Sequence, residues 1–283
     1  MTTPRSDLRL LAAALPALAG SVLLMRDADA GTALITQQVA VALVCLGAVA
    51  LTRRETSPIA DTSRRALAVA ATIAVLLLWA PVWLGTLAGP ERWLRVGGVR
   101  VYVASALLPA LVLAVARALE SSSTALRWPW ALMPAALWAL SAQPDASQST
   151  AFALACALPL WRASAPTEVK VLTATALAAG VAWAWWQPDP LLPVPYVEGV
   201  LDLAGAAGPA TLVAALAALL LPLLMLTRQA RGSSGTAFLS VAIYYLAIDV
   251  LAWQQLTPMP LLGFGAGPIV GYALMAVAAR RRP

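Results

Sequence analysis

Ten long apolar stretches follow one another along the chain, and they leave little sequence between them. The hydrocarbon core of a bilayer is about 30 Å thick and is crossed by a helix of about 20 apolar residues. The 283 residues are therefore predicted to form an all-α, polytopic integral membrane protein with about ten transmembrane helices. The predicted spans are Leu8–Met25, Ala33–Leu51, Ala66–Leu87, Val101–Leu119, Trp128–Leu140, Ser149–Trp161, Val169–Trp186, Leu203–Thr227, Thr236–Trp253 and Leu261–Ala279.

Composition leaves no room for a water-soluble domain. The chain is 61% hydrophobic and 11% charged, whereas soluble domains are about 45–50% apolar and about 25% charged. Residues 1–283 are therefore expected to form a single transmembrane domain. The fifth and sixth spans are short, which leaves open a re-entrant pair and a count of eight spans.

Positive charge is divided unevenly between the two sets of loops. If the N-terminus is cytoplasmic, only Arg26, Arg92, Arg95 and Arg100 of the 19 Lys and Arg residues fall at the outer face. Because cytoplasmic loops carry an excess of Lys and Arg, both termini are expected in the cytoplasm and the protein in the cell inner membrane. Binding of these loops to anionic membrane lipids accounts for the net charge of +6 without a nucleic-acid partner.

The residue inventory excludes several kinds of chemistry. The chain has no His, which excludes imidazole bases, catalytic triads and His-ligated metal sites. Cys45 and Cys156 lie inside apolar runs and form no redox or disulfide motif. No nucleotide-binding glycine loop is present, so no cofactor and no metal are expected. Any chemistry must use carboxylates, arginines, hydroxyls or the backbone.

The predicted outer segment between the third and fourth spans carries three arginines, Arg92, Arg95 and Arg100, where arginine is otherwise avoided. Arginine pairs with phosphate through two parallel hydrogen bonds, so Arg92 and Arg95 are candidates for binding a pyrophosphate head group, with Trp93 beside them. The alternative is a turn with snorkelling arginines and an interfacial Trp93.

A short polar loop containing Gln143 and Asp145 follows the fifth span. Asp145 and Gln148 have the spacing of a helix capping box, which predicts that Asp145 caps the sixth span. The alternative is that the Asp145 carboxylate, with Gln143 nearby, holds a sugar hydroxyl or a cation at the membrane surface.

The loop after the seventh span contains four prolines and is expected to run extended until about Val197. Glu198 and Asp202 are four residues apart, so a helix starting there would place both on one face. A carboxylate in apolar surroundings has a raised pKa and suits a general base. The alternative is that both acids complement the dipole of the helix.

Asp249 lies inside the ninth span, where an ionisable residue is costly and is by default a candidate for function. Ion coupling in a small transporter or lipid flippase would use such a residue. The alternative is a hydrogen bond from Asp249 to a neighbouring helix.

Three segments of the chain together resemble motifs of the SEDS family (shape, elongation, division and sporulation proteins, which include FtsW, RodA and SpoVE). GPERWLRVG at residues 89–97 is similar to the family's G-x-x-R-W-[IL]-x-[LV]-G, and QPD at residues 143–145 is similar to its Q-P-D. LTPMPLLGFG at residues 256–265 is similar to the closing L-T-x-P-[LF]-[IL]-S-[YF]-G-G. The segments occur in the family's order, and the resemblance covers nearly the whole chain.

The resemblance implies a ten-helix fold and, in the enzymatic members, a peptidoglycan glycosyltransferase that polymerises lipid II beside a class B penicillin-binding protein. The expected ligand is then an undecaprenyl-linked glycan precursor, with Arg92 on the pyrophosphate, Glu198 as general base and Asp145 orienting a sugar. The alternative within the family is a non-catalytic subunit that binds or activates a cell-wall synthesis partner.

The chain also departs from the family pattern. The family's Q-P-[SA]-E and following Lys are replaced by Tyr102 to Ser105 and Leu108, and its closing S-Y-G-G-S-S by GFGAGP at residues 263–268. The long loop that holds the family's catalytic Asp is shortened, so that this position falls near Val194 and Glu198 is the nearest acid.

Overall fold

The computed structural model describes residues 6–52, 63–84, 92–96, 99–120, 128–189, 191–232 and 235–280. Within these ranges the chain forms helices and one antiparallel hairpin of two strands. The elements are α1 (Ser6–Asp27), α2 (Thr32–Thr52), α3 (Ser63–Leu84), β1 (Trp93–Val96), β2 (Val99–Tyr102), α4 (Val103–Glu120), α5 (Trp128–Ala142), α6 (Ala146–Arg162), α7 (Thr167–Trp186), α8 (Val200–Ala207), α9 (Pro209–Gln229), α10 (Gly235–Trp253) and α11 (Ala266–Arg280).

The all-α membrane class is confirmed, with the β1–β2 hairpin as a small addition. Seven described helices, α1 to α4, α7, α9 and α10, are long and apolar enough to cross a membrane by length and composition. Helices α5, α6 and α11 are shorter, with 15, 17 and 15 residues. The fold is that of a multi-pass membrane protein. The expectation of a single domain over the whole chain stays a prediction.

The short helix α6 runs from one end of the helix bundle to the other. We call the end that carries the β1–β2 hairpin the hairpin end. Asp145 caps α6 there, whereas Arg162 at the other end of α6 donates to the Thr236 hydroxyl at 3.2 Å. Next to Thr236, the Ala237 N–H donates to the Glu120 carboxylate at the last residue of α4. Helix α6 therefore spans the same distance as α4 and α10, which favours ten crossing helices over a re-entrant pair.

The predicted eighth span, Leu203–Thr227, is wrong as a single helix. The structure divides it into α8 (Val200–Ala207) and α9 (Pro209–Gln229) at Gly208, whose φ is 127°. This backbone angle is accessible to glycine and rarely to other residues, and a proline at the next position starts a helix well. The Gly-Pro pair therefore ends one helix and begins the next.

The predicted tenth span also begins too early. Helix α11 starts at Ala266, and not at Leu261, because the segment before it is built of turns. Leu261 has a φ of 60°, and the N–H of Gly263 donates to the carbonyl of Met259 at 3.0 Å. The left-handed backbone at Leu261 interrupts helical geometry, so the apolar composition of residues 261–265 does not extend the helix.

Helix α4 is the centre of the bundle and is contacted by α3, α6, α10 and α11. Its approach to α11 is the tightest, because two glycines of α11 face it. A Cβ atom on Gly271 would collide with the backbone oxygen of Ser105, and a Cβ on Gly267 would collide with the Ser105 hydroxyl. The two glycines let the backbones of α4 and α11 meet, as small residues do in membrane bundles.

Replacing Gly271 by alanine is expected to lower the free energy of unfolding by about 1–3 kcal/mol, because overpacking forces backbone shifts. Thermal unfolding in detergent micelles measures the change. Gly47→Ala in α2 is the matched control, since a Cβ atom there meets nothing within 4 Å. Equal unfolding temperatures for the two variants would show that α4 and α11 are not in this close contact.

Candidate functional site

The β-hairpin places Arg92 at the centre of the candidate site. Trp93 pairs with Tyr102 across the two strands, and the ring centroids of these residues lie 5.4 Å apart. The backbone N–H of Val103 donates to the carbonyl of Arg92 at 3.4 Å. Because Val103 is the first residue of α4, the hairpin holds Arg92 beside the N-terminus of the central helix.

The buried guanidinium of Arg92 joins three segments of the chain. Its Nε donates to the Gln143 carbonyl at 3.2 Å, and its Nη2 donates to the Pro144 carbonyl. The same Nη2 forms an ion pair of 2.9 Å with Oδ2 of Asp189. Burial lowers the pKa of this guanidinium, but the nearby Asp145, Tyr102 and Asp189 raise that pKa by more, so the group stays charged.

The expectation that Asp145 caps α6 is confirmed. Its Oδ1 accepts a hydrogen bond from the backbone N–H of Gln148 at 3.2 Å, and its Oδ2 accepts one from the Tyr102 hydroxyl. The Gln148 side chain instead accepts from the Tyr244 hydroxyl at 2.6 Å. Burial raises the pKa of Asp145, although Arg92 and the two hydrogen bonds act in the opposite direction.

Gln143 is buried and faces α3. Its Nε2 donates to the carbonyl of Leu78 at 2.5 Å, while its own backbone carbonyl accepts from Arg92. The Gln143 side chain therefore holds the α5–α6 connection against α3. The side chain of Arg95, the other arginine predicted to bind a head group, lies outside the described part of the chain.

Glu198 lies in a turn that precedes α8. The Val194 carbonyl accepts hydrogen bonds from the N–H groups of Val197, Glu198 and Gly199, at 2.9, 2.9 and 3.2 Å. The Glu198 carboxylate in turn accepts from the Val194 N–H at 2.8 Å. Burial raises the pKa of Glu198, and so does the Asp189 charge. The backbone N–H groups of Val194 and Glu198 and the Arg92 charge lower that pKa. The charges of Arg92 and Asp189 thus have opposite effects on the pKa of Glu198.

The prediction that Glu198 and Asp202 share one face of a helix is wrong. Helix α8 begins only at Val200, and Glu198 lies before it in the turn at residues 194–199 that closes on the Val194 carbonyl. Asp202 is exposed and accepts a hydrogen bond from the Gln255 side chain. The two acids thus have different surroundings: the Glu198 carboxylate binds the Val194 N–H, whereas Asp202 is exposed beside Gln255.

The turn that carries Glu198 is fixed by the segment before α11. The Met259 N–H donates to the Val197 carbonyl at 3.0 Å, and the Phe264 N–H donates to the Tyr196 carbonyl at 2.8 Å. The side chain of Gln38 on α2 holds this segment from the other side, through the Gly263 carbonyl at 3.1 Å and the Gly265 N–H at 3.1 Å. Backbone hydrogen bonds of this kind give Glu198 a defined position.

Asp189 is the site residue that the sequence did not reveal. It follows α7 in the proline-rich loop, and no motif or spacing in the sequence pointed to a role for it. Its partner Arg92 is 97 residues away along the chain. The sequence feature that could have pointed to Asp189 is that an acid lies in a predicted outer loop, on the same side of the membrane as an unusual cluster of arginines.

Asp249 lies on α10, close enough to Tyr245 for its charge to act on that residue. Its Oδ1 is buried and accepts no hydrogen bond from the described residues. The neighbouring positions Leu246, Val250 and Trp253 are exposed, so Asp249 stands at the edge of the bundle core.

The three segments that resemble SEDS motifs meet at the hairpin end. Arg92 from the first binds the carbonyls of Gln143 and Pro144 from the second. Ser147, just after the second, donates to the carbonyl of Leu256 in the third at 3.1 Å. The motifs are thus distant in sequence and adjacent in the fold.

The fold and the meeting of these segments define a polytopic membrane protein with a SEDS-like fold. Among solved structures, the chain is similar to the rod shape determining protein RodA of Thermus thermophilus, with 18% identity and a TM-score of 0.67 over 95% of this chain and 93% of that chain. It is also similar to a chain in a peptidoglycan synthase complex that coordinates polymerization and crosslinking, with 20% identity and a TM-score of 0.70 over 96% of each chain. No family model and no curated protein matches the sequence.

Proposed function

We propose that this protein acts in peptidoglycan synthesis and binds an undecaprenyl-pyrophosphate-linked glycan precursor, lipid II, at the hairpin end. The observation that carries the proposal is that, within a SEDS-like fold, the buried and charged Arg92 pairs with Asp189 in the loop that leads to the Glu198 turn. A charged arginine and a partly buried carboxylate with a raised pKa are the groups that glycosyl transfer from a pyrophosphate requires.

In the catalytic form of this proposal, Glu198 takes the proton of the acceptor sugar hydroxyl. The hydroxyl oxygen then attacks the anomeric carbon of the donor, and the bond from that carbon to the pyrophosphate oxygen breaks. Arg92, with Arg95, stabilises the negative charge that collects on the undecaprenyl pyrophosphate leaving group. Asp145 and Gln143 hold the loop around Arg92, while Trp93 borders the bound sugar.

The proposed setting is the cell inner membrane, with both termini in the cytoplasm and the hairpin end outside. The similarity to a chain of a peptidoglycan synthase complex supports a class B penicillin-binding protein as partner, because that complex couples polymerization to crosslinking.

Arg92→Gln is expected to weaken lipid II binding about tenfold or more, because charge-assisted hydrogen bonds contribute about 1.5–3 kcal/mol. Glutamine is chosen because its amide can still donate to the loop carbonyls. Native mass spectrometry of the purified protein titrated with lipid II, undecaprenyl phosphate and an ordinary phospholipid measures the change.

Arg100→Ala is the matched control for Arg92→Gln, since Arg100 lies on the same hairpin with an exposed side chain. It is expected to bind lipid II as the unmodified protein does. Binding of lipid II no better than phospholipid, or equal binding by the Arg92→Gln variant, would contradict the proposal.

A non-catalytic subunit that binds or activates a cell-wall synthesis partner is the second candidate. It is favoured by the internal contacts of the site: the Arg92 guanidinium, the Asp145 carboxylate and the Glu198 carboxylate each bind groups of the protein itself. In this case the same groups would shape an outer surface for the partner. A Glu198→Gln variant that fully supports growth would favour the subunit over the enzyme.

A further inference from the structure

The ion pair between Arg92 and Asp189 is strongly asymmetric in its exposure to solvent. The Arg92 side chain is 5% exposed, whereas the Asp189 side chain is 41% exposed. The guanidinium is therefore fixed inside the protein, and the carboxylate approaches it from outside. An ion from solution or from the membrane surface would reach Arg92 from the same side.

The other two acceptors on Arg92 cannot be exchanged in this way. Both are backbone carbonyls, of Gln143 and Pro144, in the three-residue connection between α5 and α6. The Gln143 side chain fixes this connection to α3, and Asp145 fixes it to α6 as its N-cap. Asp189 is thus the acceptor on Arg92 that can be displaced without breaking the fold.

The side chains around Asp189 place it at the depth of lipid head groups. Trp186, the last residue of α7, is 84% exposed, and Leu192 on the other side of Asp189 is 87% exposed. Tryptophan at the end of a membrane helix marks the membrane interface. Exposed apolar side chains before and after the carboxylate therefore keep it beside the phosphate layer of the bilayer.

We propose that Asp189 is an internal anion that occupies Arg92 in the ligand-free protein and is displaced by the phosphate of a lipid. This inference rests on the proposed function, because it assigns Arg92 to the ligand's phosphate. It adds that Asp189 competes with the ligand and so sets the affinity and the anion selectivity of the site. A neutral or weakly charged lipid does not displace it.

The test compares Asp189→Asn with the unmodified protein. Asparagine keeps an oxygen that can accept the hydrogen bond from the Leu191 N–H, which Asp189 Oδ1 now accepts at 3.1 Å, so the turn is retained. Removing the competing charge is expected to raise the affinity for undecaprenyl pyrophosphate about three- to fivefold, the size expected of a partly exposed ion pair. Binding of undecaprenol, which carries no phosphate, should not change.

A double-mutant cycle with Arg92→Gln shows whether the effect passes through Arg92. In the Arg92→Gln background, Asp189→Asn is expected to give no gain. An unchanged or reduced affinity in Asp189→Asn, a gain that also appears with undecaprenol, or a gain that persists without Arg92 would each overturn the inference.

The two proposals fail in different ways. If Arg92→Gln leaves undecaprenyl pyrophosphate binding unchanged, the proposed function fails and the inference with it. If Arg92→Gln weakens binding and Asp189→Asn does not strengthen it, only the inference fails. Inorganic pyrophosphate, added as a competitor, distinguishes two kinds of site. It would displace undecaprenyl pyrophosphate readily from a site for any free anion, and poorly from a site for a lipid head group.

Discussion

Replacing Glu198 by glutamine is expected to lower the rate of glycan polymerisation by about 10²–10⁴-fold, the usual contribution of a general base. Glutamine has nearly the same shape and keeps an oxygen that can accept from the Val194 N–H, as Glu198 does at 2.8 Å. The fold of the turn should therefore survive while proton transfer is lost. Polymerisation of lipid II by the purified protein, together with the proposed penicillin-binding partner, measures the rate.

The pH dependence of the same reaction separates catalysis from structure. The general base must be ionised, so the rate falls as the pH is lowered through the pKa of Glu198. Because burial raises that pKa, the fall begins at a higher pH than for an ordinary glutamate. The residual rate of the Glu198→Gln variant should have lost this dependence.

Asp202→Asn is the matched control for Glu198→Gln, because Asp202 is a nearby exposed acid that bonds only to Gln255 in the described structure. It is expected to retain the rate and the pH profile of the unmodified protein. If the Glu198→Gln variant polymerises lipid II at an unchanged rate, Glu198 is not the general base and the catalytic form of the proposal is wrong.

Replacing Asp145 by alanine is expected to lower the free energy of unfolding by about 3 kcal/mol. Loss of an N-cap costs about 1 kcal/mol, and a buried hydroxyl left without its acceptor costs about 1–3 kcal/mol. Here the cap belongs to α6 and the hydroxyl to Tyr102. Thermal or denaturant unfolding in detergent micelles, followed by circular dichroism, measures the change.

Asp145→Asn separates the hydrogen bonds from the charge. Asparagine retains an acceptor for the cap, and it removes a buried carboxylate whose pKa is raised by burial, which means that its ionised form is destabilised by desolvation. The loss is therefore expected to be no more than about 1 kcal/mol. An asparagine variant as unstable as the alanine variant would show that the charge next to Arg92, and not the cap, stabilises this end of the bundle.

The all-α membrane class and the cap at Asp145 could be predicted because both depend on residues close together in the chain. Apolar length is summed over about 20 residues, and a capping residue acts within one turn of its helix. The three segments that resemble SEDS motifs could also be found by their residues and order. The meeting of these three segments at the hairpin end is seen only in the folded structure.

Local properties were also the source of the errors. Apolar composition continues past Gly208, but the backbone angle at Gly208 separates α8 from α9. Apolar composition also begins before Ala266, but the left-handed backbone at Leu261 precedes the start of α11. The spacing of Glu198 and Asp202 suited a helix, yet the turn closed by Val194 excludes Glu198 from it.

The amino-acid sequence alone thus determined the membrane class, the order of the helices and the presence of arginines and carboxylates in the segments that form the hairpin end. Only the tertiary structure decided that Asp189, and not Asp202, is the ionic partner of Arg92 in the described part of the chain. The physical reason is that an ion pair requires two charges to lie within about 4 Å. For groups 97 residues apart, that distance is set by how α5 and α6 pack against α3 and α4 on one side and against α7 on the other, which no spacing in the sequence records.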